Sequence, residues 1–241
     1  MERALEQLTD TLKWRIQWGV RQLLVKGEST LSYDEILTGK TYYVGYDRVS
    51  RPINFVSIKD HIKGQFQAED TEKLTVLSME IGRNLLRYPI ETVTVIIDMR
   101  DFSMKNMDYQ HAQFLINLLQ NYYPECLGLA LVVKAPWLFH TCWQIIKSWL
   151  DPVVESKIHF INNLDDLTRY IDVSNLPKQL NGHQSKFHYL PPTERDRKMF
   201  SAFHGDTQGE REATKRHERA SISYLRTTLQ WAREKSTEKL L

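Results

Sequence analysis

Residues 127–152 read LGLALVVKAPWLFHTCWQIIKSWLDP, and two elements meet in them. LGLALVV (127–133) is apolar at every position. A run of that length without alternation is a strand covered on both faces, and it is far too short to span a bilayer. Beyond Pro136, apolar residues return at helical spacing: Phe139, Cys142, Trp143, Ile145, Ile146, Trp149 and Leu150 fill more than half of a helix circumference. His140, Thr141, Gln144, Lys147 and Ser148 take the remainder, and Pro152 closes the segment. Three of the six tryptophans, Trp137, Trp143 and Trp149, fall within it. A buried strand feeding such a helix is one unit of an α/β protein. A helix this apolar is either interior packing or a lid, with one face on an apolar space and an aromatic rim suited to a membrane interface.

Upstream, VTVIIDM (93–99) is a second strand of the buried kind. TYYVGYD (41–47) and PINFVSI (52–58) form a hairpin about a short polar turn. EDTEKLTVLSMEIGRNLLRY predicts a long helix striped by Leu74, Leu77, Ile81 and Leu85. Residues 108–123 predict another, carrying Tyr109, Ala112, Leu115, Leu119 and Tyr122 inward. KIHFIN (157–162) is a short strand, and NLDDLTRYI a short capped helix. Alternating helices and strands imply an α/β/α sandwich on a mostly parallel sheet. Residues 3–25 predict one helix, with Leu5, Leu8, Leu12, Ile16 and Val20 as its apolar stripe and Gly27 as its C-cap. Its start close to Met1, with no capping stretch before it, suggests a fragment lacking upstream helices. The expected division is an N-terminal helical remnant (1–30), a main domain (31–192), and a polar linker with an amphipathic helical tail (193–241). Ile222, Leu225, Leu229 and Ala232 stripe that tail.

Composition narrows the function. With 241 residues, 41% hydrophobic and 26% charged, the chain reads as an ordinary soluble protein. A net charge of +2 gives no basic stripe for nucleic acid. Two cysteines, Cys126 and Cys142, suggest a reducing, cytoplasmic setting rather than a disulfide framework. No glycine-rich phosphate loop and no G-x-S-x-G elbow occurs, which points away from an enzyme. The eight histidines are scattered; His183 and His188, five apart, have no metal-ligand spacing. Asp98 and Asp101 close a central strand, where catalytic groups can sit, although a cap or loop hydrogen bond explains them as well.

YYPECLG (122–128), KAPWLF (134–139), WLDPVVESKI (149–158) and LPKQLNG (176–182) follow one another in the order and spacing of the CRAL-TRIO lipid-binding domain, the family of fungal phosphatidylinositol/phosphatidylcholine transfer proteins. GYDRVSRPINFV (45–56) resembles its early hairpin, and DMRDFSMKNMDY (98–109) its turn into a helix. TLKWRIQWGV (11–20) is similar to the last helix of the bundle that precedes the domain. The resemblance covers about three-quarters of the chain. It implies an apolar pocket for one lipid beneath a gating helix, here about Phe139 to Lys157. Three departures stand out. Leu180-Asn181-Gly182-His183 replaces the family's F-G-G-K, weakening a phosphate contact because histidine is mostly uncharged at neutral pH. Leu118-Leu119-Gln120-Asn121 lacks small hydroxyls expected for a choline headgroup. Ser50 stands where the hairpin turn has glycine, so a relaxed turn is expected.

These readings give a set of expectations. Val95, Ile97, Leu115, Leu119, Leu131 and Val133 face Phe139, Trp143, Ile146 and Leu150 across the pocket. Trp137 and Trp149 belong to the gate and meet the membrane. Lys157, Lys178 and His183 meet the headgroup. No catalytic residue, metal or cofactor is expected, only a bound lipid. The partners are a phospholipid, phosphatidylinositol foremost, and a membrane surface touched transiently by a cytoplasmic monomer, without nucleic acid. The alternatives are a lipid-sensing regulatory module and a carrier of a non-phospholipid hydrophobic ligand.

Overall fold

The computed structural model describes residues 2–185, 187–205 and 207–238. Five strands form one sheet in the order β1-β2-β3-β4-β5: Thr41–Tyr46, Pro52–Ser57, Val93–Asp98, Leu127–Val133 and Ile158–Ile161. The hairpin β1–β2 is antiparallel and every other pairing is parallel. Each parallel step needs a crossover, and the crossovers are α4 (Ala68–Leu85), α5 (Tyr109–Asn117), and the pair α6 (Phe139–Lys147) and α7 (Pro152–Ser156). With strands laid down in sequence order, crossovers of one hand all fall on one face. The opposite face is covered by short 3-10 turns, Leu164–Arg169, Val173–Asn175 and Lys178–Leu180. Leu167 and Leu180 on those turns, with Ile171 and Leu176 between them, pack against Ile53, Phe55, Ile96, Leu131 and Val133.

The N-terminal segment is two helices, α1 (Glu2–Trp18) and α2 (Val20–Lys26), because Gly19 adopts a left-handed conformation between them. They belong with α3 (Tyr33–Leu37) and the sheet to one compact unit ending at Tyr189. Of the predicted stripe only Val20, beyond the Gly19 break, is buried; Leu5, Leu8, Leu12 and Ile16 are exposed. The neighbouring face docks instead, with Trp14 stacked on Tyr122 at 4.6 Å. Arg15 donates two hydrogen bonds to Glu80, at 2.7 and 2.9 Å. Burial alone would raise the Glu80 pKa, but the hydrogen bonds from Arg15 and Tyr123 outweigh it and hold the carboxyl below its ordinary range. Two apolar stripes share this helix, and periodicity cannot tell which one docks.

The hairpin turn is not relaxed. Ser50 keeps a positive φ of 66°, and Asp47 Oδ1 accepts from the backbone N–H of Val49 at 3.0 Å and of Arg51 at 2.8 Å. The aspartate supplies the bonds that hold a non-glycine residue in the left-handed region. Asp98 and Asp101 take their structural roles. Asp98 is held by the Arg100 guanidinium at 2.9 and 2.7 Å, and Asp101 pairs with Lys59 at 3.2 Å.

Residues 190–241 form a second unit with two helices, α8 (Glu194–Gly205) and α9 (Thr207–Glu238). Ile222, Leu225 and Leu229 of the expected stripe are exposed, and the side chain of Ala232 lies outside the described residues. Among the described residues no helix is long and apolar enough to cross a membrane.

Candidate functional site: a cavity between sheet and helices

The crossover helices do not pack flush on the sheet. Between them lies a cavity of about 320 Å³. Its floor follows from register. Asn54 pairs with Val95 and Val56 with Ile97 across β2–β3, and Val95 with Ala130 and Ile97 with Val132 across β3–β4. Partners in register point to the same face, and all six line the cavity. The roof is Leu74 and Ser78 of α4, Ala112, Leu115 and Ile116 of α5, and Phe139, Trp143 and Ile146 of α6. Leu119, Leu150 and Val154 continue it.

Of the ten predicted wall residues, Val95, Ile97, Leu115, Leu119, Phe139, Trp143, Ile146 and Leu150 lie on the cavity. Leu131 and Val133 do not. They are fully buried on the other face, in register with Ile96 and Asp98. Their neighbours Ala130 and Val132 take the cavity side. A one-residue offset moves every side chain to the opposite face, and LGLALVV is apolar at all positions, so it carries no alternation to set the phase.

The quoted helix is broken. It stops at Lys147, and α7 restarts at Pro152, with Asp151 Oδ1 accepting from Val154 N at 2.8 Å. Proline is well placed at a first helical position and cannot continue a preceding helix. The three tryptophans separate. Trp143 faces the cavity and meets Phe160 edge-on at 5.1 Å. Trp149 is half-buried beside Tyr109, edge-on at 5.9 Å. Trp137 is 86% exposed.

The predicted headgroup residues fare differently. Lys178 and His183 flank the Leu176–Leu180 turns of the solid face, away from the cavity. Lys157 sits between cavity residues Val154 and Ile158 but pairs with Glu125 at 3.2 Å. Arg83, absent from the sequence reading, lines the same end of the cavity beside Cys126 and Leu127. Arg83 pairs with Glu80 at 3.3 Å; burial raises the Cys126 thiol pKa, Arg83 and Lys157 pull it down, and Glu80 and Glu125 push it up.

The opposite end, at the C-terminal edges of β2 and β3, is polar and also went unread. Lys40 Nζ donates to Glu35 Oε1 at 2.5 Å, and Thr71 Oγ1 donates to the same oxygen at 2.6 Å. Lys40 Nζ also lies 3.4 Å from His61 Nδ1, and the rings of His61 and His111 sit 5.3 Å apart. His111 Nε2 lies 3.4 Å from Thr75 Oγ1. Burial, then His61 and the Lys40 charge, lower the His111 pKa to about 4. Burial and Lys40 lower that of His61 as well. Both rings are neutral at pH 7. These residues are spread between positions 35 and 111, with no short motif to betray them.

Known proteins share this arrangement in sequence. Residues 37–182 match the CRAL/TRIO domain family. The chain belongs to the CRAL/TRIO family. The match runs from the helix before the hairpin to the turn after β5, so the whole cavity lies inside the CRAL/TRIO domain. A CRAL-TRIO domain-containing protein of Schizosaccharomyces pombe is 42% identical over 187 residues, 76% of this chain and 42% of its own length. The phosphatidylinositol transfer protein CSR1 of Eremothecium gossypii is 30% identical over 251 residues, 99% of this chain and 56% of its own. The Sec14 cytosolic factor of S. pombe is 28% identical, over 76% and 70%. The chain thus spans about half the length of the first two relatives. The crystal structure of Sfh5 shares the fold, with a TM-score of 0.64 at 19% identity over 85% of this chain and 76% of that one.

Proposed function

We propose that this CRAL/TRIO domain binds one phospholipid, phosphatidylinositol foremost, and carries or presents it between membranes by opening at the bilayer. The observation that carries the reading is the apolar cavity roofed by α6. A relative similar over nearly the whole chain is named a phosphatidylinositol transfer protein, which supports the choice of lipid. A cavity with a small polar share suits acyl chains rather than a polar substrate. The headgroup phosphate lies at the end bearing Arg83 and Lys157, where charge-assisted hydrogen bonds favour an anion.

The energetics require membrane contact. A phospholipid with about thirty buried methylenes, each worth about 0.8 kcal/mol, would cost on the order of 24 kcal/mol to leave in water. Exchange through bulk solvent is therefore closed, and the cavity must open while touching the membrane. α6 suits that role. It is short, bounded by Pro136 and by the break before Pro152, and it carries Phe139 and Trp143 on the cavity side. Trp137 at its entrance is exposed and suited to an interface. The second unit's basic, amphipathic α9 assists docking on anionic membranes. No bound cofactor enters this reading.

Transfer of labelled phosphatidylinositol between two liposome populations tests it. The wild-type chain should move lipid, and Trp143→Ala should slow it at least several-fold in a protein that still folds. A chain that binds lipid without moving it would instead be a lipid-sensing module.

A further inference from the structure

The parallel strands β2, β3 and β4 deliver the loops that follow them to one edge of the sheet. Those loops span 58–67, 99–108 and 134–138. The first two are tied together. Lys63 N donates to Lys105 O at 2.9 Å, and Asn106 Nδ2 donates to Lys59 O at 3.2 Å and to His61 O at 2.9 Å. The third is joined to them through Phe139, which meets Phe102 edge-on at 5.5 Å. Each loop carries one exposed apolar side chain: Ile62, Met104 and Trp137. Each of these has an exposed lysine near it in sequence, Lys63, Lys105 and Lys134. Among the described residues none of these three lysines is ion-paired, unlike Lys59, which pairs with Asp101 at 3.2 Å. Asp60 is engaged as well, accepting from Ser57 Oγ at 2.6 Å.

The pattern selects among occupants. A stable protein partner needs about 800 Å² of close-packed surface per side, which three separate loop tips ringed by lysine do not offer. A second copy would set lysine against lysine. An anionic bilayer suits both features, because apolar tips enter the headgroup layer while lysines reach the phosphates. The opposite edge of the sheet also has an exposed aromatic, Tyr88, but the exposed acids Glu91 and Glu125 there oppose an anionic surface. We propose that the C-terminal edge of the sheet, through Ile62, Lys63, Met104 and Lys105 beside Trp137, docks on an anionic lipid surface and sets the orientation of the domain on it. His61, Asn106 and Met107 of the same loops line the cavity, so the docking edge lies at its polar end. This rests on the reading that the cavity exchanges lipid at a bilayer, and adds where the domain meets that bilayer.

Sedimentation with phosphatidylcholine vesicles, with and without phosphatidylserine, measures the docking. Phosphatidylserine should tighten wild-type binding, and Lys63→Glu combined with Lys105→Glu should weaken binding to those vesicles by about tenfold or more. Ile62→Ser combined with Met104→Ser should weaken it several-fold. All four side chains are exposed, so Tm should stay unchanged. Amide hydrogen exchange on the anionic vesicles should slow over 61–65 and 102–106 and not over 87–91. Protection confined to α9 or to 87–91, or anionic binding untouched by both double variants, overturns the inference. Dimers in the absence of vesicles that Ile62→Ser with Met104→Ser abolishes would assign the edge to a second copy and overturn it too. Native mass spectrometry of the purified proteins separates this from the carrier reading: the lysine double variant should retain as much lipid as wild type. Lipid on neither protein would sink the carrier reading, while the vesicle results still decide the docking edge.

Discussion

One sheet carries two faces of similar hydrophobicity and opposite use. On one, Ile53, Phe55, Ile96, Leu131 and Val133 meet four large apolar residues of the 164–180 turns, and the packing is solid. On the other, Asn54, Val95, Ala130 and Val132 meet helices held off the sheet, and the packing is hollow. The solid side presents large branched side chains to a thin, close-fitting cover. The hollow side offers small or polar ones, Ala130 and Asn54, at its centre beneath helices that do not close the gap. Stability and ligand capacity are thus separated across a single layer of backbone.

The largest effects should fall on the solid face. Leu131→Ala should destabilise the domain by about 2–5 kcal/mol, because the removed atoms leave a void in close-packed surroundings. Val132→Ala, one residue away, should cost only about 1 kcal/mol, because its methyls border an existing cavity. Urea midpoints of the two variants would compare the faces directly. Equal losses would break the distinction.

Acid titration distinguishes the faces differently. His111 lines the hollow side, with a pKa of about 4 against an ordinary 6.5. Above pH 6.5 it is neutral whether folded or unfolded. As pH falls from 6.5 towards 4 the unfolded chain takes up a proton that the folded one refuses, so stability is lost across that window. The loss approaches about 3 kcal/mol below pH 4. His61, also lowered, adds to it with the same sign. Replacing His111 by phenylalanine should flatten this part of the stability–pH curve; an unchanged slope would remove histidine burial as its cause.

The sequence announced the elements of both faces but not their assignment. Strands and crossovers were legible because period and punctuation mark them: the prolines around α6, the unbroken apolar runs of β3 and β4, the glycine at the end of α2. The phase of β4 was not, since a strand apolar at every position reads the same in either register. The placement of Leu131 and Val133 therefore came out reversed, while Val95 and Ile97 came out on the cavity. The polar end was invisible for another reason. Glu35, Lys40, His61, Thr71 and His111 come from separate elements and meet only after the sheet has formed. Lys178 and His183 look basic and available in the sequence, but the fold takes them to the solid face.

Two smaller effects sharpen the picture. Ser50→Gly should stabilise by about 1 kcal/mol by relieving the left-handed strain in the β1–β2 turn, a gain visible as a higher Tm. Trp137→Ala should leave Tm unchanged, since the side chain is exposed, yet weaken sedimentation with anionic liposomes. Loss of folding in that variant would place Trp137 in the core instead of at the gate.

The central claim is that the hollow face exists to hold a lipid. Ala130 lies at the middle of the floor, so Ala130→Trp fills the cavity without touching the solid face. Native mass spectrometry of wild type and Ala130→Trp, loaded from phosphatidylinositol-containing vesicles and checked for equal folding by circular dichroism, tests it most directly. The expected result is one lipid per wild-type chain and none on the filled variant. Equal lipid on both proteins, or none on either, would contradict the account.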